Sequence, residues 1–257
     1  MKKTILLALS LLPWALPASA WGPKGHDVTA CIAECNLTPE AAAEVDRVLN
    51  GYSPVYWSNW LDAASHTPEY AYTKSWHYMD VDAGETREST PRNPKGDILS
   101  ALNELVQRLE GHDLPAEEEA LCLKMLIHLM GDLHCPMHAG HLTDLGGNRV
   151  KVRFFGRDTN LHAVWDSSLP EWAHKWSYTE WQSQIDRLTD EEVAEITGGT
   201  LETWYDETQA LCPEIYASTP EGANLSYDYV NKYAPLVERQ LLKGGHRLAA
   251  LLNEIYR

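Results

Sequence analysis

The stretch EEEALCLKMLIHLMGDLHCPMH, residues 117–138, decides most about this chain. Its first turn is acidic, which suits the positive end of a helix dipole. Its apolar residues then recur at helical spacing up to Leu133. A helix over 117–133 puts His128 and Asp132 one turn apart on one face, where both side chains can grip a single cation. Pro136 ends the helix soon afterwards and frees His138 to approach from another direction. A single histidine on an apolar helix is ordinarily a satisfied core residue. Three histidines and an aspartate within residues 128–138 point instead to a metal.

The flanking sequence is helical too. Residues 27–35 and 98–109 have helical apolar spacing. Thr38-Pro39 reads as an N-cap with proline at the first helical position, continued by 41–49. A third helix is expected over 57–65 and loop over 81–94. Gly146-Gly147 introduces the one strand-like run, 148–155, and Gly156-Arg157-Asp158 reads as the turn of a small hairpin. Helices follow over 161–169, 178–188, 201–216 and from 227 to the C-terminus, the last broken near Pro235 and Gly244-Gly245. There is no internal repeat. The expected fold is mainly α: a single-domain helical bundle with a small β-hairpin over residues 21–257. One domain suffices because the candidate ligands, from Trp21 to Asp166, have to converge.

Residues 1–20 stand apart. Lys2 and Lys3 precede an apolar run over 5–12, and Ala18-Ser19-Ala20 forms a small-residue cleavage site. That order is a secretory signal, and the run is too short to span a membrane. The expected location is secreted or periplasmic, in a bacterial manner, with Trp21 as the mature N-terminus. No other stretch is long enough to cross a bilayer, and nothing calls for an obligate protein partner. The formal charge of −16 argues against a broad basic groove for duplex nucleic acid. Bound cations would nonetheless add positive charge locally. Export permits disulfides, but with five cysteines at least one is unpaired in a monomer. The pairing among Cys31, Cys35, Cys122, Cys135 and Cys212 stays open, and they are expected to be mostly buried and structural.

Four further segments carry candidate ligands. His162 and Asp166 in NLHAVWD repeat the His/Asp spacing of residues 128 and 132. Asp62, in Trp60-Leu-Asp62, is an acid among aromatics, where burial requires a partner. His77 lies in Trp76-His77-Tyr78. Trp21-Gly22-Pro23-Lys24-Gly25-His26 offers an α-amine, which with a pKa of about 7.7–8.0 can ligate a metal near neutrality, and a histidine able to fold back on the same ion.

Taken in order, these motifs resemble the zinc-dependent single-strand nuclease and 3′-nucleotidase family of fungi, plants and bacteria, and more distantly the trinuclear-zinc phospholipases C. The resemblance spans Trp21 to Asp166 and includes Gly146-Gly147-Asn148. It implies three Zn2+ ions. One would be held by Asp62, His77, His128 and Asp132. A second would be held by His138, His162 and Asp166. The third would take the amine and carbonyl of Trp21 with His26 and Asp132, so that Asp132 bridges two ions. Asp62 and Asp132 would be the catalytic carboxylates, and His134 would lie beside the ligands rather than among them.

The implied chemistry is hydrolysis of single-stranded DNA or RNA, and of 3′-nucleotides, by a hydroxide formed between two ions. Its products would be 5′-phosphorylated fragments. Asn148 matches a position that contacts substrate, and Asp82 is a candidate contact to a base. Where family members often carry a basic residue near the scissile phosphate, this chain has Ser65. A zinc phospholipase C and a non-catalytic zinc-binding protein are the alternative readings.

Overall fold

Prolines and side-chain caps punctuate the chain, and the computed structural model, which describes residues 21–257, follows them closely. The expected signal, residues 1–20, lies outside the described residues. The helices are α1 (Pro23–Cys35), α2 (Pro39–Val48), α3 (Pro54–Trp57), α4 (Trp60–Ala64), α5 (Ile98–Glu110), α6 (Ala116–Leu133), α7 (Leu161–Ala163), α8 (Leu169–Ala173), α9 (Tyr178–Ile185), α10 (Asp190–Thr197), α11 (Leu201–Gln209), α12 (Cys212–Ser218) and α13 (Tyr227–Ile255). Thr38 caps α2 by accepting from the Ala41 amide, with Pro39 in the first turn. Asp97 and Ser100 form a capping box at the start of α5.

The fold is mainly α, as expected. The hairpin pairs β1 (Lys151–Phe154) with β2 (Arg157–Asn160) in antiparallel register, Lys151 opposite Asn160. A short β3 (Asn224–Leu225), which the sequence did not suggest, adds a parallel neighbour on the other side of β1.

Two apolar clusters make the core. One gathers around α5 and α6, with Leu102, Leu126, Met130 and Leu252. The other holds Trp21, Met137, Trp165, Trp181 and Leu241. Helices α1 and α13 supply residues to both, Ala30 and Ala33 to the first and Val28 and Ile32 to the second, so they stand between the clusters. Their close approach needs glycine: a Cβ on Gly245 would lie 2.5 Å from the Ile32 side chain.

Several boundaries differ from the sequence reading, each for a physical reason. Helix α13 is continuous through Pro235 and Gly244-Gly245. Pro235 is exposed, so the acceptor it leaves unpaired can face water, and the glycines serve contact rather than breakage. Residues 201–216 are two helices, not one, because Pro213 falls in the first turn of α12. Helix α10 was not anticipated, although Thr189 and Glu192 form a legible capping box at its start. Residues 57–65 divide at Ser58-Asn59, whose side chains donate to Asp27 Oδ1 at 3.0 and 2.6 Å. Finally, 161–169 is not one regular helix: between α7 and α8 the backbone is π-wound over Val164–Ser168. Among the described residues, no helix is long and apolar enough to cross a membrane.

Candidate metal centre

Six separate pieces of chain deliver the candidate ligands to one buried place. The start of α1 brings Trp21 and His26, α4 brings Asp62, and the turn before Tyr78 brings His77. The end of α6 brings His128 and Asp132, and the 3-10 turn Pro136–Ala139 brings His138. His162 and Asp166 follow the hairpin.

Asp132 is the hub. It is wholly buried. Its Oδ1 lies 3.3 Å from the Trp21 nitrogen and 3.4 Å from His26 Nε2. Its Oδ2 lies 2.9 Å from His77 Nδ1 and 3.2 Å from His128 Nε2. His138 Nδ1 is 3.7 Å from Oδ1. Asp62 Oδ1 stands 3.5 Å from His128 Nε2 and 3.9 Å from His77 Nδ1. On the far side, Asp166 Oδ1 lies 3.7 Å from His138 Nε2, and the His138 and His162 rings stack with centroids 5.1 Å apart.

Ring orientation is set by the backbone. His128 Nδ1 donates to the Ser58 carbonyl at 2.6 Å, and His138 Nδ1 to that of His77 at 2.7 Å. His162 Nδ1 donates to the carbonyl of Gly146 at 2.8 Å. A carbonyl partner fixes Nδ1 as the protonated nitrogen and leaves Nε2 with a lone pair for a metal. The break between α3 and α4 therefore has a use: it presents the Ser58 carbonyl to His128.

The electrostatics are those of a site lacking positive charge. Burial opposes ionisation of Asp132, but His128 and His138 beside it hold its carboxyl well below the usual range. Burial works against a charged His128 too, yet Asp132 and Asp62 raise it to about 10. His138 is carried to about 9 against its burial by Asp132 and Asp166. Burial lifts Asp166 to about 8. His128 and His138 thus hold protons that a cation would replace, whereas burial and then His128 lower His26.

The donor set also has unused valence. Both ring nitrogens of His26, and His77 Nε2, His138 Nε2 and Asp166 Oδ1, are buried without a hydrogen-bond partner among the described residues. Such atoms are costly unless something coordinates them. In three groups the donor atoms lie within 4.8 Å of one another: His26, Asp62 and His128; His77, His128 and Asp132; and Cys135, His138 and Asp166. These residues fit divalent cations of the imidazole- and carboxylate-binding kind.

The cluster also holds residues that sequence reasoning missed. Cys135 lies against His138 and Asp166, its thiol pushed well above the usual range by burial and then by Asp166. Asp80 is buried, its Oδ1 without a hydrogen-bond partner among the described residues, and burial lifts it to about 8 against the pull of His138. Its position three residues past His77 was the available signal. Gly131 was another: a Cβ there would stand 2.7 Å from His26 Nδ1, so only glycine lets His26 lie against α6.

Asp82 is half-buried and accepts from Thr143 N and Oγ1 at 2.9 and 2.8 Å. Asn148 is half-buried, its amide donating to the Leu145 carbonyl. Ser65 is buried and donates to the Asp62 carbonyl at 3.0 Å. His134 does not face the ligands. It bonds the Met130 carbonyl and Arg247, and burial followed by Arg247 lowers it to about 3. The cysteines are all free, four buried and Cys35 exposed.

Buried imidazoles and carboxylates converging from dispersed segments, with fixed tautomers, are the donor set of a centre that could hold metal ions. The S1/P1 nuclease family model matches residues 21–257, and the chain belongs to that family. It is therefore a nuclease, a hydrolase of nucleic acids. Among characterised proteins it is similar to Endonuclease 4 of Arabidopsis thaliana, 30% identical over 98% of this chain and 93% of that protein. It is also similar to Nuclease P1 of Penicillium citrinum, 27% identical over 92% of this chain and 98% of that protein. Nuclease S1 of Aspergillus oryzae is 26% identical, over 99% and 98% respectively.

Proposed function

We propose that the chain is an exported, three-zinc endonuclease that cleaves single-stranded DNA and RNA to 5′-phosphate products and also releases phosphate from 3′-nucleotides. The observation that carries this reading is Asp132: one buried carboxylate approached by the Trp21 nitrogen, His26, His77, His128 and His138. A carboxylate with both oxygens so engaged is placed to bridge two cations. Asp62, His77 and His128 would complete one ion's shell. Trp21 and His26 would complete the second, and His138, His162 and Asp166 would hold the third.

Bound zinc would supply Lewis acidity and an activated water at neutral pH. The chain's own residues do the rest. The carbonyls of Ser58, His77 and Gly146 keep three imidazoles turned inward. Asp62, with its side chain 21% exposed, is the carboxylate of the set that a phosphate would meet from solvent. Asn148 and Asp82, on segments tied to the loop that precedes the hairpin, would touch substrate. Tyr78, 39% exposed and next to His77 in sequence, would offer an unpaired base a stacking face. The net charge of −16 fits a short substrate contact rather than a duplex track.

Release of acid-soluble 5′-nucleotides from single-stranded substrate, much slower release from duplex, and phosphate release from a 3′-nucleotide are the expected results. Turnover of lecithin without nucleotide release would overturn the reading in favour of a phospholipase. Metal-loaded protein that hydrolyses neither would favour a zinc-binding role.

The export proposal makes a separate prediction. Trp21 is wholly buried and its nitrogen lies on Asp132, so a chain that retains Ala20 should bind one zinc fewer and lose most activity. Three zincs and full activity in that chain would refute the amine as a ligand.

A further inference from the structure

Helix α12 carries none of the candidate ligands, yet two of its residues, one turn apart, grip the two segments that hold His138 and orient His162. The Cys212 thiol donates to the carbonyls of Pro136 and Ala139 at 3.1 and 3.3 Å, on either side of His138. The Tyr216 hydroxyl accepts from the His141 amide at 3.0 Å and donates to Asp144 Oδ1 at 2.9 Å. The Tyr216 ring stacks on His141 with centroids 3.8 Å apart and planes within 15°.

The chain of bonds continues inward. Asp144 Oδ1 also accepts from the Gly147 amide at 2.6 Å, and the Gly146 amide donates to the His141 carbonyl at 2.9 Å. The peptide between Gly146 and Gly147 is thus held from both ends. Its carbonyl, on Gly146, is the acceptor that fixes the His162 ring. Rotation of that peptide would remove the acceptor of Nδ1 and release the tautomer that leaves Nε2 with a lone pair. Asn148 is the next residue, so the same peptide also sets where its side chain begins.

We propose that Tyr216, with Cys212 as its partner on α12, is a positioning residue for the ion site formed by His138, His162 and Asp166. It acts through Asp144 and the Gly146-Gly147 peptide. The inference rests on the reading of those three residues as one ion's ligands. Partners that orient a metal-binding histidine are worth about 10- to 100-fold in metal affinity, which sets the scale of effect.

The test compares wild type with Tyr216→Phe, which keeps the ring stacked on His141 and removes only the hydroxyl. Zinc is titrated against a competing chelator, and amide exchange at Gly147 is followed in the metal-free protein. One of the ions should bind about tenfold more weakly, the other two unchanged, and Gly147 should exchange faster. With saturating zinc, kcat and KM should return toward wild type. Asp144→Asn, which retains an acceptor oxygen, should lie between wild type and Tyr216→Phe; it also serves if the tyrosine variant folds poorly.

Unaltered zinc affinity and unaltered Gly147 exchange in either variant would overturn the brace. Faster exchange at Gly147 with all three zincs still held at wild-type affinity would also overturn it as a device of the ion site. Wild-type protein that binds no zinc would defeat the underlying ligand reading, a failure visible before any variant is made.

Discussion

Asp132 and Gly131 are neighbours on α6 with opposite demands, and they give the sharpest tests at the residue scale. Asp132→Asn keeps the volume but removes the charge toward which four imidazoles and the Trp21 nitrogen point. It should cost at least two zincs, measured by elemental analysis, and activity should fall by more than about 100-fold. Gly131→Ala would ordinarily favour the helix by about 1 kcal/mol. Here the new Cβ would meet His26 Nδ1 at 2.7 Å, so one zinc should be lost although the helix itself is better formed. Three zincs retained in Gly131→Ala would contradict the placement of His26.

His134 carries a pH prediction. Its folded value is about 3, set by burial and then by Arg247, while an unfolded histidine titrates near 6.5. Below pH 6.5 the unfolded chain takes up a proton that the folded chain refuses. Stability from this group is therefore complete above pH 6.5 and falls with acid, by about 1.4 kcal/mol per pH unit down to about pH 3. His134→Gln can keep both hydrogen bonds, to Met130 and Arg247, without titrating. Its metal-free stability should fall less steeply between pH 6 and 4, as followed by urea unfolding, and an identical slope would contradict the buried neutral state. Among single residues, the histidines and aspartates at 128–138 and 162–166 were legible because side chains one helical turn apart announce a shared face. Asp80, Cys135 and Gly131 were not, because nothing local to those residues says that the chain brings His26 and His138 against them.

At the scale of elements, helix ends with chemical punctuation were legible and tertiary contacts were not. Thr38-Pro39 gave α2, and the acidic first turn gave α6. The same rules would have given α10 from Thr189 and Glu192, and the separation of α11 from α12 from Pro213. The continuity of α13 could not be read locally, since Gly245 is used against Ile32, a residue far away in sequence. Replacing Gly245 by Ala should force α1 and α13 apart and destabilise the fold by about 1–3 kcal/mol, an overpacking cost visible as a lowered Tm. Because α1 also delivers Trp21 and His26, zinc affinity should drop with it. The π-wound turn at Val164–Ser168 is the other case. A regular helix would have set His162 and Asp166 on one stripe, whereas here the two side chains meet around His138.

For the whole molecule, the two apolar clusters make the core, and the centre lies between pieces from six regions and ties them together. The imidazole nitrogens and the Asp166 Oδ1 that have no hydrogen-bond partner among the described residues would be satisfied when cations are present. Metal binding to the folded state alone adds about 4 kcal/mol per site at a thousandfold excess over Kd. For a chain of this size each kcal/mol is worth about 2–4 °C. Chelation should accordingly lower Tm by about 10 °C or more, and added zinc should restore it. The fold class and the two His/Asp pairs were legible in sequence because they repeat local patterns, whereas the wider grouping of candidate ligands came from the family resemblance. The assembly of the centre was not, because it depends on where the backbone carbonyls of Ser58, His77 and Gly146 arrive.

The central claim, a zinc centre assembled on Asp132 that cleaves unpaired nucleic acid, is tested most directly by one paired measurement. Zinc content and hydrolysis of single-stranded DNA are determined on the same preparation of the chain beginning at Trp21, before chelation, after it, and after zinc is returned. The account predicts three zincs per chain, activity lost in step with their removal, and recovery on their return. Single-strand cleavage that persists at full rate in metal-free protein would contradict it.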